Sequence, residues 1–590
     1  MARKYKPKRL PIAALDIETT PGAYGYRPEP ICVCIKSNDL RFSVQFWGED
    51  CIEQSIQFLA AQPVKGRLLA HNGGKFDFGY YAHDPGKKRV VGSRLLTSSV
   101  TGWETLDTML LMPTSLKNLG HGSEASKGEM RLSYHRFDAT PEEREYVMKY
   151  CTLDCEVLLN AYARFCKVFT GDETKACKDT AASNAFSALK KCYPNASPTL
   201  WRTTKQFDST MRPYYHGGIV NTFGPARDVK GKRTMVDANS MYPGAMKNYQ
   251  HPASNRTVKV INPKLTADGK LQKFGNKIFF ITFEGWSSIL PHVKESGGLE
   301  YGVTGTYFVT SHELQAAMRH KMVRVDSILD AYVFPDTCNF AEFVDTYYGL
   351  RQDAKRIGDP VEYVFKIILN SAYGKFGQDP GNYKDTAFEL PGCVPEDDLD
   401  NYTAWKKVGM TTDMLNIIWE REALIEDDGQ KYINVATAAS ITGASRACLI
   451  DAIGAVVHAG GVVEYCDTDS IVFSGPATMN LGQELGQWKI ECEIDRVVIA
   501  GPKLYAFHIV DAKPGKDWKI ASKGVRASAQ NIIDLVAGTS DLIYFPEMGS
   551  HDVTGTYRTV RRRIRRDSLN REKAVPLIAK NNSRTTYARR

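Results

Sequence analysis

Acidic residues in the N-terminal third have the types and spacing needed to hold a pair of divalent cations. Asp16 and Glu18 in LDIETT lie two apart on a predicted strand, so both side chains point to one face. HNGGKFDF adds Asp77, and YCTLDC places Tyr150 and Asp154 one helical turn apart. With two cations between such carboxylates, one cation activates a water and the other stabilises the leaving oxygen of a phosphodiester. If the fold brings these carboxylates together, they would suit a site that binds two divalent cations.

A second acidic group lies in the remaining two thirds of the chain. Asp237 ends a predicted strand in DANSMYP, and Asp467 and Asp469 lie in the strand–turn–strand segment EYCDTDSIV. Between these segments, KIILNSAYGKFG is predicted to form a helix that carries three polar side chains on one face: Lys366, Asn370 and Tyr373. Two carboxylates on separate strands can grip two metals that bridge a triphosphate and a 3′-OH, while the helix supplies charge and a stacking surface. This arrangement is typical of nucleotide addition.

The elements that must position these residues follow from hydrophobic periodicity. Strand-like runs alternate with helical ones in the N-terminal third, which indicates an α/β domain. The predicted elements are strands at Ile12–Ile17 and Ile31–Ile35, a helix at Glu142–Phe169, a strand carrying Val236–Asp237, a helical segment at Asp345–Tyr373, a hairpin near Leu415–Tyr432, a helix at Ala436–His458 and a strand at Val462–Tyr465. A chain of 590 residues is too long for one core and predicts roughly three to five structural units.

Charge is unevenly distributed along the chain. The formal net charge is +9, yet residues 556–590 alone carry twelve Lys or Arg against two acidic residues. Residues 379–432 are the opposite, with thirteen acidic residues against five basic ones. Basic ends on a balanced body suit a polyanionic partner, because phosphate contacts release counterions. The pattern favours a nucleic-acid partner and leaves a simply solvated tail open.

Cysteine usage indicates a reducing compartment, and the apolar stretches argue against a membrane span. Thirteen cysteines is an odd number, and their scattered spacing gives no CxxC pair. This favours reduced thiols in a cytosolic setting. The longest apolar stretches, such as Ile450–Val463, are interrupted by an acidic residue, a histidine and glycines, so we expect no membrane partner. The expected location is the cytoplasm, which would be the host cytoplasm if the protein is viral.

From residue 12 to about 526 the motifs resemble those of family B DNA polymerases. The first acidic group resembles the DEDD-type 3′→5′ exonuclease motifs, and DANSMYP, KIILNSAYGKFG and YCDTDS resemble motifs A, B and C. The resemblance implies a multidomain fold of α/β and α+β type, with a ribonuclease-H-like exonuclease domain and a right-hand polymerase of palm, fingers and thumb. It also implies DNA-directed synthesis from dNTPs, DNA as primer-template and as single strand, and two Mg²⁺ ions per active site, which Mn²⁺ can replace.

The same resemblance implies a role for each residue of the two groups. The exonuclease metal ligands would be Asp16, Glu18, Asp77 and Asp154. Tyr150 would orient the attacking water, and Lys127 in KGEM would be a catalytic helper. The polymerase metal ligands would be Asp237, Ala238 and Asp469, with Asp467 as a nearby support. The nucleotide-binding residues would be Ser240, Met241, Tyr242, Lys366, Asn370 and Tyr373, with Tyr242 as the steric gate against ribonucleotides.

Shorter motifs that resemble those of the family imply contacts with DNA. YYHGG matches the YxGG motif, which binds template and balances synthesis against editing, and GPKLYAF matches the KxY motif, which holds the primer end. TSL, together with residues near the first acidic group, would grip the frayed 3′ end. The implied DNA contacts are Thr19, Asn72, Phe76, Ser115, Leu116, Tyr215, Gly217, Gly218, Arg446, Lys503 and Tyr505.

Two intervals resemble the inserts of the protein-primed branch, the small-phage and linear-replicon type. Residues 251–350 separate motif A from motif B, and residues 379–432 separate motif B from motif C. The implied plan is an exonuclease domain at 1–175, a YxGG linker at 176–220, palm at 221–250, a first terminal-protein region at 251–350, fingers at 351–378, a second terminal-protein region at 379–432, palm at 433–510, and thumb with basic tail at 511–590. A terminal protein is therefore an expected priming partner, and strand displacement an expected property.

Three alternatives remain beside this interpretation. A primer-independent polymerase of the same family would carry the same motifs. An exonuclease without synthesis is disfavoured by the intact motifs A to C. An inactive nucleic-acid clamp is disfavoured because all seven candidate acidic residues are present.

Overall fold

The computed structural model describes residues 11–565, except for 22–26, 40, 85–87, 92–93, 121–129, 174, 380–384, 390–401, 411–416, 424–432, 523–526, 540–541, 545–547, 552–556 and 561–562. Side chains are not described at 85–93, 380–432 and 540–565. The predicted helper Lys127 and the side chains of the basic tail therefore lie outside the described residues.

The N-terminal domain is a mixed sheet covered by helices. Its elements, with those of the segment that follows it, are β1 (Ile12–Thr19), β2 (Pro30–Ser37), β3 (Ser43–Trp47), α1 (Cys51–Ala61), β4 (Arg67–Ala70), β5 (Lys88–Val91), β6 (Arg94–Val100), β7 (Trp103–Asp107), α2 (Leu116–Leu119), α3 (Pro141–Thr170), α4 (Ala181–Cys192), α5 (Pro198–Trp201) and α6 (Lys205–Met211). The two strands and the long helix predicted here are confirmed. α3 begins at a capping box formed by Thr140 and Glu143 and ends at Gly171, whose φ of 73° suits glycine. Because α3 packs across β1 and β2, it brings its inner face over the acidic residues of β1.

Residues 220–376 add strands of a central sheet, a smaller sheet and a helical hairpin. Their elements are β8 (Val220–Thr222), β9 (Arg227–Ala238), α7 (Met241–Asn248), β10 (His251–Pro252), β11 (Val258–Ile261), β12 (Ile278–Ser287), β13 (His292–Val293), β14 (Leu299–Glu300), β15 (Val303–Thr310), α8 (Ser311–Arg319), β16 (Val323–Phe334), β17 (Thr337–Cys338), α9 (Ala341–Arg356) and α10 (Val361–Phe376). The smaller sheet has the strand order β11-β16-β12-β15.

The helical segment predicted at Asp345–Tyr373 is two helices rather than one run. Gly358, with φ of 70°, and Pro360, the N-cap of α10, separate α9 from α10. The two helices pack against each other as a hairpin. The predicted boundary between residues 350 and 351 falls inside α9, so the hairpin begins earlier in the chain than the motif spacing indicated.

The acidic block between motifs B and C contributes strands to the N-terminal sheet. Its described elements are β18 (Asp385–Glu389), β19 (Tyr402–Met410) and β20 (Ile417–Ala423). β19 and β20 pair as an antiparallel hairpin, and β18 pairs with both β20 and β5. β20 lies within the hairpin predicted near Leu415–Tyr432, but its described partner is the earlier strand β19, and residues 424–432 lie outside the described residues. The complete sheet has the order β19-β20-β18-β5-β6-β7-β4-β1-β2-β3.

The remaining elements complete the central sheet around a buried helix. They are α11 (Val435–His458), β21 (Val462–Asp467), β22 (Ser470–Ser474), β23 (Trp488–Gly501), β24 (Leu504–Ile509), β25 (Trp518–Ser522), α12 (Ala529–Ala537), β26 (Leu542–Tyr544), β27 (Met548–His551), β28 (Tyr557–Val560) and β29 (Arg563–Arg565). The central sheet has the order β25-β24-β23-β9-β22-β21-β8, which places the strands of motifs A and C side by side.

α11 connects the central sheet to the block at 251–340. Its residues Ile450 and Ile453 share one hydrophobic core with Ile281 of β12, Val309 of β15 and Leu314 of α8. This helix is long and apolar enough to cross a membrane by length and composition alone, but 78% of its most apolar window is buried inside the protein. Such burial is typical of a helix in the core of a folded protein. The predicted helix at Ala436–His458 is confirmed.

Candidate active sites

The first acidic group converges at the end of β1, beneath α3. Carboxylate oxygens of Asp16, Glu18 and Asp154 all lie within 4.8 Å of one another. Asp77 opens a short 3₁₀ helix, and its Oδ1 accepts a hydrogen bond from the backbone N–H of Ile17 at 3.2 Å. Four acidic residues from three distant segments are therefore brought to one end of one strand.

This first cluster carries concentrated negative charge in a buried setting. Burial, together with the charge of Glu18, raises the pKa of Asp16 well above its usual value. Burial likewise raises the pKa of Asp77 to about 7. The Oδ2 atom of Asp16 is buried and has no hydrogen-bond partner among the described residues. A group of hard oxygen donors with an unsatisfied buried oxygen fits a divalent cation.

The loop that carries Asp77 is held by two residues that sequence reasoning missed. Buried Asp107 accepts hydrogen bonds from the backbone N–H groups of Asn72 at 3.0 Å and Gly74 at 3.2 Å. Arg94 donates to Asp107 at 2.5 Å and to Oδ1 of Asn72 at 2.8 Å. Asn72 itself has a φ of 73°, a conformation that Asn tolerates. Arg94 and Asp107 belong to no short motif, so only the fold reveals their role.

The remaining residues predicted to orient the water or contact a 3′ end differ in exposure. Thr19 is half-buried at a β-bulge that ends β1, and Tyr150 is buried on α3. The ring of Phe76 packs edge-on against Tyr80, with ring centroids 5.6 Å apart. Ser115 caps α2 by accepting a hydrogen bond from the N–H of Asn118, and Leu116 is 92% buried in the domain core. Ser115 and Leu116 therefore have evident structural uses, and a DNA contact by either stays a prediction.

The second acidic group meets where β9 and β22 lie side by side. Asp237 is the register partner of Ser470, and the N–H of Ala238 donates to the carbonyl of Asp469 at 2.8 Å. Burial and the charge of Asp237 raise the pKa of Asp469 to about 6. Burial also raises the pKa of Asp237, against the opposing charge of Lys489 at 3.5 Å. The two carboxylates predicted as metal ligands are thus adjacent and mutually repelling.

Asp467 is held by a lysine that contacts both of its carboxylate oxygens. Lys503 Nζ lies 2.8 Å from Oδ2 and 2.9 Å from Oδ1 of Asp467. The backbone N–H of Lys503 also donates to the hydroxyl of Tyr465 at 3.1 Å. This ion pair suits the predicted supporting role of Asp467. Tyr505 is 94% buried, with its ring stacked on Phe507 at 4.0 Å, so only a small edge of it is available to a primer.

The nucleotide-side residues line the space between α7 and α10. The rings of Tyr242 and Tyr373 stack at 4.3 Å with an interplanar angle of 18°. Lys366 and Asn370 are exposed on the face of α10 that also carries Tyr373. Met241 is buried in the core, which leaves it little side chain to offer a nucleotide. The structure therefore brings the aromatic pair and the two polar residues of α10 to the same side.

Arg351 of α9 is a further residue that the motif analysis missed. It donates to Ser240 Oγ at 3.2 Å through Nη1 and to Glu362 Oε1 at 2.7 Å through Nε. Ser240 has a φ of 53°, which is uncommon for a residue other than glycine. The contact with Arg351 helps to hold this conformation. Arg351 joins this motif A loop to both helices of the hairpin. The sequence signal was weak, because a lone arginine near the end of a helix is usually a surface residue.

The YxGG segment packs directly against the turn of motif C. A Cβ placed on Gly218 would lie 2.6 Å from Oγ1 of Thr468, so this position has no room for a side chain. The N–H of Thr468 donates to the carbonyl of Ile219 at 2.7 Å. Gly217 is exposed, and the ring of Tyr215 lies against Gly377 at the end of α10. The segment thus touches both the acidic turn and the helix that carries Lys366.

The predicted DNA contact of Arg446 is wrong. This side chain is 99% buried, and its Nε and Nη2 atoms donate to Glu313 at 2.5 and 2.7 Å. Its Nη1 atom donates to the carbonyls of His216 at 2.7 Å and Gly217 at 2.9 Å. With these donors used inside the protein, no charged surface remains for DNA. Arg446 instead positions the YxGG backbone from inside the protein, through its hydrogen bonds to the carbonyls of His216 and Gly217.

We expect Arg446→Met to destabilise the protein by about 3–5 kcal/mol, because it leaves the buried carboxylate of Glu313 without a partner. Although burial acts to raise it, the charge of Arg446 lowers the pKa of Glu313, so the carboxylate is ionised in the pair. Urea unfolding measures the loss. Arg319→Met is the matched control, because its exposed pair with Asp451 should contribute at most about 1 kcal/mol. Equal losses of unfolding free energy in both variants would contradict the assignment of Arg446 to a buried structural ion pair.

Comparison with known proteins agrees with this arrangement. The profile of a family described as DNA polymerase type B, organellar and viral, matches residues 124–457. The DNA-directed DNA polymerase of Enterobacteria phage PRD1 is 30% identical over 549 residues, which cover 90% of this chain and 88% of that protein. The DNA polymerase of Bacillus phage Nf is 23% identical over 427 residues, which cover 68% of this chain and 66% of that protein.

The fold has a close counterpart among solved structures. Phi29 DNA polymerase superposes with a TM-score of 0.68 at 16% identity, over 94% of this chain and 100% of that chain. Another structure of that polymerase, with a TM-score of 0.67, holds primer-template DNA and incoming nucleotide. The predicted fold class, an exonuclease-type domain followed by a right-hand polymerase, is confirmed. The chain is a DNA polymerase and belongs to the organellar and viral family of type B DNA polymerases.

Proposed function

We propose that this polymerase adds dNMP to a 3′-OH at the Asp237–Asp469 cluster, removes mispaired 3′ ends at the Asp16–Glu18–Asp154 cluster, and initiates on a terminal protein. The observation that carries the proposal is the presence of two separate carboxylate clusters in one chain, both with pKa values raised by burial and charge crowding. A polymerase without editing needs only one such cluster. The second cluster lies in a different domain, on a different sheet.

The donor atoms at both clusters fit hard divalent cations, and Mg²⁺ is the expected ion with Mn²⁺ as a substitute. Asp237 and Asp469, with the backbone of Ala238, would hold two ions in the polymerase site. The exonuclease ligands would be Asp16, Glu18, Asp77 and Asp154. When bound, such ions activate the attacking oxygen and stabilise the leaving oxygen.

The chain's own side chains position the substrates at each cluster. The Tyr242–Tyr373 stack offers a flat surface for the sugar and base, and Lys366 and Asn370 present donors toward the triphosphate. In the editing site, the loop held by Arg94 and Asp107 presents Asn72 and Phe76 toward a frayed end. The Tyr363 hydroxyl donates to the carbonyl of Pro113 at 3.2 Å, which joins α10 to the TSL segment of the other domain.

Priming by a terminal protein rests on the resemblance of two intervals to the protein-primed branch. Residues 251–340 form their own four-stranded sheet, and the block between motifs B and C adds three strands to the N-terminal sheet. Both features are additional to the strands β1, β9 and β21, which carry Asp16, Glu18, Asp237 and Asp467. DNA and dNTPs are the other proposed partners, and a phage or other linear replicon the proposed source.

A single-stranded circle, with and without one annealed oligonucleotide, tests initiation and displacement together. With Mg²⁺ and dNTPs, we expect products much longer than the circle from the primed template and none from the bare circle, because no hydroxyl is available there. Products from the bare circle would replace protein priming with primer-independent initiation. Extension that stops after one copy of the circle would remove strand displacement from the proposal.

Tyr242→Val should weaken selection against ribonucleotides by about 10²-fold, because it removes the ring that would lie under the sugar. Tyr242→Phe keeps the ring and the stack on Tyr373, so its selectivity should stay near that of the unsubstituted chain. Single-nucleotide insertion of rNTP against dNTP measures the ratio. Unchanged selectivity in the valine variant would remove Tyr242 from the gate.

A further inference from the structure

Three thiols converge inside the N-terminal domain, and a fourth lies at their edge. Cys32 and Cys34 alternate on β2, so both point to the same face, and Cys151 and Cys155 lie one turn apart on α3. α3 packs across β2, and all four residues are buried. The sequence spacing gave no sign of this, because a CxC on a strand and a CxxxC on a helix meet only through the fold.

The distances among these sulfurs are close to those of a metal centre. The Sγ atoms of Cys32, Cys34 and Cys151 all lie within 4.8 Å of one another. The Sγ atom of Cys155 lies 3.4 Å from the carbonyl oxygen of Cys34, at the edge of the same group. In a tetrahedral zinc site with Zn–S bonds of about 2.3 Å, sulfurs are separated by about 3.8 Å. For the sulfurs of Cys32, Cys34 and Cys151, an adjustment of about 1 Å or less would reach that spacing.

We propose that Cys32, Cys34 and Cys151, with Cys155 as the fourth ligand, bind one Zn²⁺ ion. Thiolates select soft or borderline metals, whereas the neighbouring carboxylates select hard ions such as Mg²⁺. The two adjacent sites would therefore take different metals. Zinc binding would release the thiol protons to solvent and leave the metal four-coordinate, with no open position for a substrate.

Such a centre would be structural and would act on the editing cluster through position. In the β1–β2 register Cys34 lies opposite Asp16 and Cys32 opposite Glu18, and the Sγ atom of Cys151 lies 3.2 Å from the carbonyl oxygen of Asp16. A metal bridging β2 and α3 would fix the spacing between the carboxylates of β1 and Asp154 of α3. The polymerase cluster, on another sheet, shares none of these contacts.

The test is the metal content of the full chain produced in cells grown with added Zn²⁺ and then dialysed against EDTA. We expect about one zinc per chain to remain, because thiolates bind zinc tightly, while metal held only by the carboxylates is removed. A parallel preparation from Co²⁺-supplemented cells should show thiolate-to-cobalt charge-transfer absorption, which carboxylate-bound cobalt lacks. Zinc below about one tenth per chain with no such absorption would overturn the proposal.

Variants separate these thiols from the other buried cysteines. Cys34→Ser should lose the retained metal and the cobalt absorption, whereas Cys51→Ser, a buried cysteine in the same domain, should keep both. Retention of the metal by Cys34→Ser would overturn the site. If Cys34→Ser does not fold, the metal content of the unsubstituted chain still decides the question. A disulfide between these cysteines in the dialysed protein would also overturn it.

Discussion

Asp469→Asn is expected to abolish nucleotide addition while leaving degradation of single-stranded DNA unchanged. The carboxylate of Asp469 lies beside Asp237, and the substitution removes one of the two charged ligands proposed to hold the metals. A loss of about 4 kcal/mol of transition-state stabilisation corresponds to a rate reduction of about 10³-fold. Primer extension and exonuclease assays on the same preparation measure the two activities.

Asp467→Asn is the matched control for Asp469→Asn, because it makes the same chemical change two residues away in the same turn. Asp467 is ion-paired to Lys503 and is proposed as a support rather than a ligand, so we expect a loss of about tenfold or less. Equal losses in the two variants would contradict the division of roles. Loss of degradation together with synthesis in Asp469→Asn would indicate a folding defect or a wrong assignment.

Asp16→Ala combined with Glu18→Ala is expected to have the reverse effect, with degradation reduced by at least about 10³-fold and extension retained. These two carboxylates supply oxygens to a cluster with Asp154 that lies on the N-terminal sheet. The polymerase cluster lies on the central sheet, so its geometry should not change. The measurements are digestion of a labelled single strand and extension of a matched primer.

The control for this double variant is Glu142→Ala with Glu145→Ala, which removes two exposed carboxylates from α3 without touching the cluster. It should digest single strands at the rate of the unsubstituted chain. Persistent digestion by Asp16→Ala with Glu18→Ala would place the exonuclease chemistry elsewhere or exclude it from this chain.

The sequence predicted the catalytic elements well because they depend on local pattern. Strands and helices with clear periodicity, such as β1 and α3, follow from alternation and from capping residues that are visible in the chain. The acidic residues were found because their types and spacing are themselves the signal. What could not be predicted depends on contacts between distant segments.

Arg446 illustrates what a local sequence motif cannot predict. Its partner Glu313 lies 133 residues away, and nothing in a local motif distinguishes an arginine that faces DNA from one buried against a carboxylate. Arg94, Asp107 and Arg351 were missed for the same reason. The division between α9 and α10 is different, because Gly358 and Pro360 are helix breaks that the sequence itself contains, although the apolar spacing continues across them.

Extension of a primer with one mispaired 3′ nucleotide tests most directly whether synthesis and editing occur in one chain. With Mg²⁺ and dNTPs, we expect full-length product in which the mispaired nucleotide has been replaced by the correct one. Asp16→Ala with Glu18→Ala should stall or retain the mismatch, and Asp469→Asn should shorten the primer without extending it. Product from the unsubstituted chain that retains the mismatch would contradict the account.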